Sequence, residues 1–262
     1  QTNYNHKMSL FNLKNKSILI TGSSRGIGKA IAKHSALHGA NVIISSRKED
    51  ACKATADEIN ALVGDEVAYP IAASISEPVQ LEKLVNKTRE KFGKIDVLIC
   101  NAATNPFMGS MLDMPSDKFD KVMENNIKSN QLLCNLVIPE MVKRNDGSII
   151  IISSIGGLKG SNLLGAYNIS KAADIMMVKN IAAEFGKNNI RANSIAPGLI
   201  KTDFAKALWE NPEILKAVLG NTPMQRIGEP DEIAGAAVML SSKAGEYING
   251  QTIVIDGGTT IV

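Results

Sequence analysis

Three residues in the second half of the chain could together carry out proton transfer: Ser154, Tyr167 and Lys171. Tyr167 and Lys171 are four residues apart at the start of a predicted helix, so their side chains share one face, about 5 to 6 Å apart at Cβ. A tyrosine ordinarily loses its proton at about pH 10, and a neighbouring ammonium favours the tyrosinate. Tyr167 is therefore a candidate general acid or base. Ser154 ends a predicted strand, where its hydroxyl could donate a hydrogen bond to a substrate carbonyl oxygen.

A glycine-rich turn provides the second chemical feature. Gly22, Gly26 and Gly28 lie in TGSSRGIG, between an apolar strand and a helical pattern. Such a turn leaves backbone N–H groups at a helix N-terminus with no side chains in front of them, which predicts a phosphate or pyrophosphate site. The spacing G-x-x-x-G-x-G differs from the dinucleotide fingerprint G-x-G-x-x-G, so the glycines alone leave open a purely steric role.

The elements that must position these residues form a repeat of apolar strand and amphipathic helix. Strands are predicted at 17–22, 41–46, 66–71, 95–102, 147–154, 190–197 and 251–256. Helices are predicted at 26–38, 50–62, 78–92, 116–144, 166–187, 203–219 and 231–241. Strands that are apolar on both faces indicate a parallel sheet covered by helices on each side. We predict one doubly wound α/β domain with seven parallel strands over 10–262, after an N-terminal arm at 1–9, with ligands bound at the carboxyl ends of the strands.

Composition excludes several classes of protein. The net charge of +3 is spread among scattered acids and bases, so neither nucleic acid nor a membrane is an expected partner. The three cysteines show no CxxC pairing, and His34 and His38 have no third ligand nearby, so no disulfide framework and no metal site are predicted. Without an apolar leader or an apolar run of 18 residues, we expect a cytoplasmic protein.

The turn TGSSRGIG, the Tyr167–Lys171 spacing and Ser154 together resemble the short-chain dehydrogenase/reductase family, over essentially 10–258. The resemblance implies that Ser154, Tyr167 and Lys171 are catalytic and that Asn126, in MENNIKSN, holds a water linking the lysine to solvent. It also implies a set of cofactor contacts. These are Gly22, Ser24, Arg25, Gly26, Ile27 and Gly28 in the turn, Ser74, Asn101, Tyr167, Lys171, and Pro197, Gly198, Ile200 and Thr202 in PGLIKT.

The choice of cofactor is predicted from the end of the second strand. In a dinucleotide fold an acid at that place binds the ribose 2′-hydroxyl of NAD, whereas cations accommodate the 2′-phosphate of NADP. This chain has Ser46 there, followed by Arg47, and Arg25 lies in the glycine turn. Two guanidinium groups and a hydroxyl could bind the phosphate, so NADP(H) is the expected cofactor.

Several stretches, among them ICNAATNPFMGSMLDMP and RIGEPDEIAGAA, resemble the NADP-dependent carbonyl and retinal reductases of the group called dehydrogenase/reductase family member 4. The expected activity is therefore NADPH-dependent reduction of an aldehyde, ketone, dicarbonyl or retinoid-like substrate, with a substrate lid at 199–222. Two alternatives remain: a 3-oxoacyl-thioester reductase, and a protein that binds a dinucleotide without chemistry. Long helices with broad apolar faces, and the family's habit of pairing them, predict a homotetramer.

Overall fold

The protein is described by a computed structural model over residues 10–262, and the predicted arm at 1–9 lies outside the described residues. The strands of this part of the chain are β1 Ser17–Thr21, β2 Asn41–Ser45, β3 Ala68–Pro70, β4 Val97–Cys100, β5 Gly147–Ile152, β6 Ile190–Pro197 and β7 Thr252–Ile255. They form one sheet in the order β3-β2-β1-β4-β5-β6-β7, and every neighbouring pair is parallel. The predicted seven-stranded, doubly wound α/β fold is confirmed.

Helices cover both faces of the sheet. They are α1 Gly26–Leu37, α2 Glu49–Val63, α3 Pro78–Phe92, α4 Ser116–Met123, α5 Ser129–Arg144, α6 Gly165–Phe185, α7 Lys206–Trp209, α8 Pro212–Gly220 and α9 Pro230–Ser241. A strand whose residues are all buried, such as β4 with the sequence VLIC, contributes to a core on each side of the sheet. Each fully buried Ile or Leu side chain contributes roughly 1.5–3 kcal/mol to this packing.

The side chains of β1 show how the two cores are separated. Ile18 and Ile20 point into a core shared with α1, α2 and α9, whereas Leu19 points into the opposite core, shared with α3, α5 and α6. This alternation follows from the two-residue period of a strand. Both faces of the sheet are thereby closed, and the carboxyl edge of the strands is left for the site.

The structure corrects the prediction of one continuous helix at 116–144. A π-helical turn, Glu124–Lys128, separates α4 from α5. A π turn inserts an additional residue into the helix, and such turns are frequent at functional sites. The turn contains Asn125 and Asn126, both buried, so it places polar side chains inside the molecule.

The predicted helix at 203–219 is also divided. A short 3-10 turn, Asp203–Ala205, leads into α7, and α8 begins only at Pro212. Asn211 accepts hydrogen bonds from the backbone N–H groups of Glu213 and Ile214, so this side chain caps α8. An Asn cap followed by Pro at the first helical position is a strong helix start, which is why a new helix begins here.

Candidate active site

The sheet order places the candidate site between β1 and β4. The chain leaves β1 to build β2 and β3 on one side, then returns to build β4 on the other side. In such a fold the connections diverge at this point and leave a crevice at the carboxyl edge. The glycine turn follows β1 at this edge, and Ser154 follows β5.

The glycine turn is shaped so that side chains would not fit. Gly22 and Gly26 have φ values of +66° and +56°, which favour glycine. A Cβ on Gly28 would lie 2.5 Å from the Asn101 side-chain nitrogen, so this position also requires a glycine. The first turn of α1 has no capping side-chain hydrogen bond and no acidic residue. A bare helix N-terminus of this kind fits the pyrophosphate of a dinucleotide.

Polar groups at the ends of β1 and β4 hold this turn in place. Asn101 donates from its side-chain nitrogen to the carbonyl oxygens of Thr21 and Gly22, both at 3.0 Å. Ser23, which is fully buried, donates to the carbonyl oxygen of Ile20 at 2.8 Å and accepts from the Ser45 N–H at 2.8 Å. Sequence reasoning identified Asn101 and missed Ser23. The signal was present, since a small hydroxyl residue follows a buried strand directly.

The predicted adenosine-side residues lie after β2 and β3. The Ser46 hydroxyl is 3.2 Å from the Cys52 sulfur, Arg47 is exposed, and the Ser74 hydroxyl is 2.8 Å from that of Ser76. Because β2 and β3 are adjacent and parallel, these positions share the carboxyl edge with the glycine turn. Two further turn residues face inward: the Ser24 carbonyl accepts from Thr55 at 2.9 Å, and Ile27 packs against the core.

Arg25 has an acidic neighbour that the sequence analysis did not identify. Its guanidinium pairs with the Asp203 carboxylate at 3.3 Å, and both side chains are about two-thirds exposed. Asp203 belongs to the segment that follows β6. The ion pair therefore connects the glycine turn to that segment, and not to Ser46 and Arg47.

The predicted nicotinamide segment runs from Pro197, the last residue of β6, to Thr202. The Gly198 N–H donates to the Ile255 carbonyl at 2.9 Å, and Ile200 is buried. The Thr202 methyl group is 3.3 Å from the position that a Cβ on Gly26 would occupy, so this segment meets the glycine turn. The indole N–H of Trp209 donates to the Thr202 carbonyl at 2.9 Å and fixes the segment from the far side.

The three candidate catalytic residues converge between β5 and α6. Ser154 follows β5 and accepts from the Gly156 N–H at 3.0 Å. Tyr167 lies in the first turn of α6, and the Lys171 ammonium is 5.6 Å from its ring centroid. A Cβ on Gly157 would lie 2.7 Å from the Lys171 backbone, so α6 approaches the turn after β5 closely.

The protonation state of Tyr167 depends on opposing effects. Burial raises the pKa of Tyr167, and the Asp174 carboxylate raises it further, whereas Lys171 and a hydrogen bond with Ser154 lower it. The net pKa lies above the ordinary value. The sequence correctly predicted that Lys171 lowers the pKa of Tyr167. It missed the burial, which outweighs that effect, so Tyr167 holds its proton at neutral pH.

Lys171 is almost completely buried and makes two polar contacts. Its ammonium donates to the Ile152 carbonyl at 2.8 Å and pairs with the Asp174 carboxylate at 3.1 Å. Burial lowers the pKa of Lys171, but the Asp174 carboxylate and Tyr167 raise it, and the net pKa is above the ordinary value. Sequence reasoning missed Asp174, although it lies on the same helix face as Tyr167 and Lys171, seven and three residues further on.

Asn126 connects the segment after β4 to α6. Its side-chain oxygen accepts from the Thr104 N–H at 2.8 Å, and its side-chain nitrogen donates to the Thr104 carbonyl and the Ser170 hydroxyl, both at 3.0 Å. Asn125 has a weaker contact, 3.4 Å from its nitrogen to the Thr104 hydroxyl. Asn126 therefore makes more and shorter side-chain hydrogen bonds here than its neighbour Asn125.

Comparison with known proteins identifies the family. A family model described as enoyl-(acyl carrier protein) reductase matches residues 22–260. The dehydrogenase/reductase SDR family member 4 of Bos taurus is 40% identical over 250 residues, which cover 94% of this chain and 88% of the relative. The chain belongs to the short-chain dehydrogenase/reductase family. The resemblance to the family member 4 group is confirmed, and this short-chain dehydrogenase/reductase is an oxidoreductase that binds a nicotinamide dinucleotide.

Solved structures of similar proteins have the same fold. A 7 alpha-hydroxysteroid dehydrogenase, solved with NADH and 7-oxo glycochenodeoxycholic acid, is 37% identical with a TM-score of 0.90, covering 95% of this chain and 96% of that chain. A gluconate 5-dehydrogenase from Burkholderia cenocepacia J2315, solved with NADP and tartrate, is 30% identical with a TM-score of 0.92. The match covers 98% of this chain and 100% of that chain. These two relatives were solved with different nicotinamide cofactors.

In this short-chain dehydrogenase/reductase the surface near Tyr167 is apolar. The segment after β4 runs beside the start of α6, where the Gly109 N–H donates to the Leu163 carbonyl at 2.9 Å and Met111 contacts Gly165. The Phe204 ring is 6.0 Å from the Tyr167 ring, measured between centroids. Five large apolar side chains here are exposed by 38% or more: Met108, Met111, Leu112, Leu163 and Phe204. An exposed apolar surface beside a polar group is typical of a site for an apolar small molecule.

No helix between residues 10 and 262 combines the length and the apolar character that crossing a bilayer requires.

Proposed function

We propose that this short-chain dehydrogenase/reductase is an NADPH-dependent reductase of the carbonyl group in aldehydes, ketones, dicarbonyls or retinoid-like molecules. The observation that carries the proposal is the convergence of Ser154, Tyr167 and Lys171 at the carboxyl edge, beside a glycine turn that fits a pyrophosphate. A protein that only binds a dinucleotide has no need of a buried lysine beside a protonated tyrosine.

The residues of the chain would divide the reaction as follows. A bound reduced nicotinamide supplies the hydride to the carbonyl carbon. Ser154 donates a hydrogen bond to the carbonyl oxygen and stabilises the charge that develops there. Tyr167 transfers its hydroxyl proton to that oxygen, so the product leaves as an alcohol. Lys171 stabilises the resulting tyrosinate until Tyr167 regains a proton.

The adenosine side of the site supports NADP rather than NAD. Ser46 replaces the acid that would bind a 2′-hydroxyl, and Arg47 follows it with an exposed side chain. Arg25 reaches a 2′-phosphate only if it leaves Asp203, with which it pairs at 3.3 Å. A phosphate carries more negative charge than a carboxylate, so exchanging Asp203 for the phosphate is electrostatically favourable.

The substrate class is supported by the apolar surface near Tyr167. Methionine and leucine side chains that adapt their shape suit varied apolar substrates. A 3-oxoacyl-thioester reductase is the second candidate, because the matching family model is described by an acyl carrier protein substrate. The homotetramer stays a prediction; the exposed Ile169 and Met176 on α6 support it, since apolar side chains on a long helix are frequent at subunit contacts.

The test is cofactor oxidation over a panel of dicarbonyls, aromatic ketones, retinal and acetoacetyl thioesters, with NADPH and NADH in parallel. We expect the dicarbonyls, ketones or retinal to be reduced with NADPH and the thioesters to react slowly. In the Tyr167→Phe variant, kcat should fall by at least ~10²-fold, while NADPH affinity changes little. Activity within about threefold of the parent would mean that Tyr167 is not the proton donor. Faster reduction of the thioesters would favour the second candidate.

A further inference from the structure

Asp174 is a fully buried carboxylate in a place where a carboxylate is costly. Its side chain is not exposed at all, and that of Lys171 is 3% exposed. Removing two charges from water costs several kcal/mol for each ion, and one ion pair offsets this only when the remaining hydrogen-bonding atoms are also satisfied. The reaction proposed for Ser154, Tyr167 and Lys171 makes no direct use of this carboxylate, so its position needs a separate explanation.

Both oxygens of Asp174 have a donor. One oxygen accepts from Lys171 at 3.1 Å, and the other accepts from the Asn130 side chain at 3.0 Å. The same Asn130 nitrogen also donates to the Asn126 carbonyl at 2.8 Å, in the π turn. A continuous buried chain of contacts therefore runs from the π turn through Asn130 and Asp174 to Lys171, and α5 is fixed against α6 by it.

The groups that face Asp174 come from three elements. Lys171 and Tyr167 face it from α6, Asn130 from α5, and Cys100 from β4. A hydrogen bond with Cys134 and burial raise the pKa of the Cys100 thiol, so Cys100 adds no charge at neutral pH. Burial raises the pKa of Asp174, and the hydrogen bonds from Lys171 and Asn130 oppose that rise. Lys171 is the cation that this carboxylate offsets.

We propose that Asp174 is a positioning residue: it holds the Lys171 ammonium against the end of β5 and offsets part of its charge, so that Tyr167 keeps the proton that carbonyl reduction consumes. The inference rests on the roles proposed above for Tyr167 and Lys171. An ammonium with no carboxylate beside it would stabilise the tyrosinate more strongly. Alcohol oxidation, which requires the tyrosinate, would then begin at lower pH.

The sign of the effect follows from the charges. The carboxylate of Asp174 disfavours a second negative charge on Tyr167, and this carboxylate disappears in an Asp174→Asn variant. The pKa of Tyr167 should therefore fall in that variant, because the like charge that helps to raise it is removed. A structural role alone would change stability and leave the titration of Tyr167 unchanged.

The experiment is a spectroscopic titration of tyrosinate in the near ultraviolet, on the full chain without substrate or cofactor. Subtracting the matched Tyr167→Phe curve from each curve isolates Tyr167 from the other tyrosines. Two variants are compared with the parent: Asp174→Asn, and Asp174→Leu with Asn130→Ala, which removes the Asn130 amide together with the carboxylate to which it donates. Glu184→Gln is the control, because Glu184 is exposed on the same helix, ten residues or about 15 Å from Asp174.

We expect the Tyr167 titration to move to lower pH in both Asp174 variants and to stay unchanged in the control. The alkaline rise of kcat for alcohol oxidation should move in the same direction. An unchanged titration, or one displaced to higher pH, overturns the inference. Failure of both variants to fold overturns it as well, because Asp174 would then be a structural requirement. If Tyr167→Phe is inactive and the Tyr167 titration is unchanged in the Asp174 variants, only the role of Asp174 is rejected. If Tyr167→Phe is fully active, the proposed function itself is rejected.

Discussion

Two ion pairs of similar length, one at the glycine turn and one beside Tyr167, differ in their surroundings. Arg25 and Asp203 are 3.3 Å apart, with side chains 67% and 66% exposed. Lys171 and Asp174 are 3.1 Å apart, with side chains 3% and 0% exposed. Water screens the first pair, and the protein interior leaves the second unscreened.

This difference separates the tasks of the two pairs. An exposed pair contributes about 0–1 kcal/mol, so either partner can exchange its contact for a ligand at little cost. A buried pair that loses one partner leaves an uncompensated charge, at a cost of about 3–5 kcal/mol. We therefore expect the pair at the glycine turn to adjust to a ligand and the pair beside Tyr167 to keep a fixed arrangement.

The largest effect is expected when the buried pair is broken. Lys171→Met removes the ammonium and leaves Asp174 buried without its cation, so the free energy of unfolding should fall by about 3–5 kcal/mol at neutral pH. The loss should grow with pH. The folded state then retains the Asp174 proton to a higher pH than the unfolded state does, and a group whose pKa is raised by folding loses stability as pH rises. Urea unfolding at several pH values measures this.

A second substitution and a control sharpen that prediction. Adding Asp174→Leu to Lys171→Met removes the unpaired carboxylate, so most of the stability should return while activity stays lost. Lys179→Met removes an exposed lysine from the same helix and should change stability by less than about 0.5 kcal/mol. If Lys171→Met cost no more than Lys179→Met, the two ion pairs would not differ as described.

The intermediate effect concerns the cofactor. Ser46→Asp together with Arg47→Ala introduces a carboxylate and removes a cation. The ratio of kcat/KM for NADPH to that for NADH should therefore fall by ~10²-fold, which lowers or reverses the preference for NADPH. Initial rates with the two cofactors measure the ratio, and Lys53→Ala, an exposed cation of α2, is the control. The prediction that Arg25 and Arg47 bind a 2′-phosphate would be wrong if the parent protein used both cofactors equally. It would also be wrong if the double variant kept the parent's ratio of kcat/KM values for NADPH and NADH.

The smallest effect is expected at the exposed pair. Asp203→Asn releases Arg25 from its carboxylate, so the KM for NADPH should fall by about threefold or less, and stability should change by under about 1 kcal/mol. Steady-state kinetics at low and high salt measure the change, which should shrink as salt rises. A tenfold change in either direction would show that this pair acts like a buried one.

Much of the fold could be predicted because apolar runs determine the strands directly. β5, with the sequence GSIIII, is buried at every position, and its start at Gly147 agrees with the predicted start. The third strand was predicted at 66–71 and spans only Ala68–Pro70, because it is an edge strand that ends in a proline. The π turn had no signal of this kind: Glu124–Lys128 contains neither glycine nor proline, and its shape depends on contacts with other parts of the chain.

The site was predictable where it depends on spacing within one element. Tyr167 and Lys171 were found because a four-residue interval places them on one helix face. Asp174 follows the same periodicity, but a lone acid on a helix is ordinarily solvated, and only the packed structure shows that it is buried. Its second partner, Asn130, is 44 residues away in the sequence, so no local pattern could pair them.

Trp209 has a consequence for how this protein can be observed. It is the only tryptophan of the 262-residue sequence, and its indole N–H donates to the carbonyl of Thr202, the residue that meets the glycine turn. The indole fluorescence of the whole protein therefore originates at one place, beside the cofactor cleft. A reduced nicotinamide ring bound near Thr202 absorbs light in the range where indole emits. Energy transfer from Trp209 would then make the protein its own optical sensor of cofactor occupancy, with no attached dye.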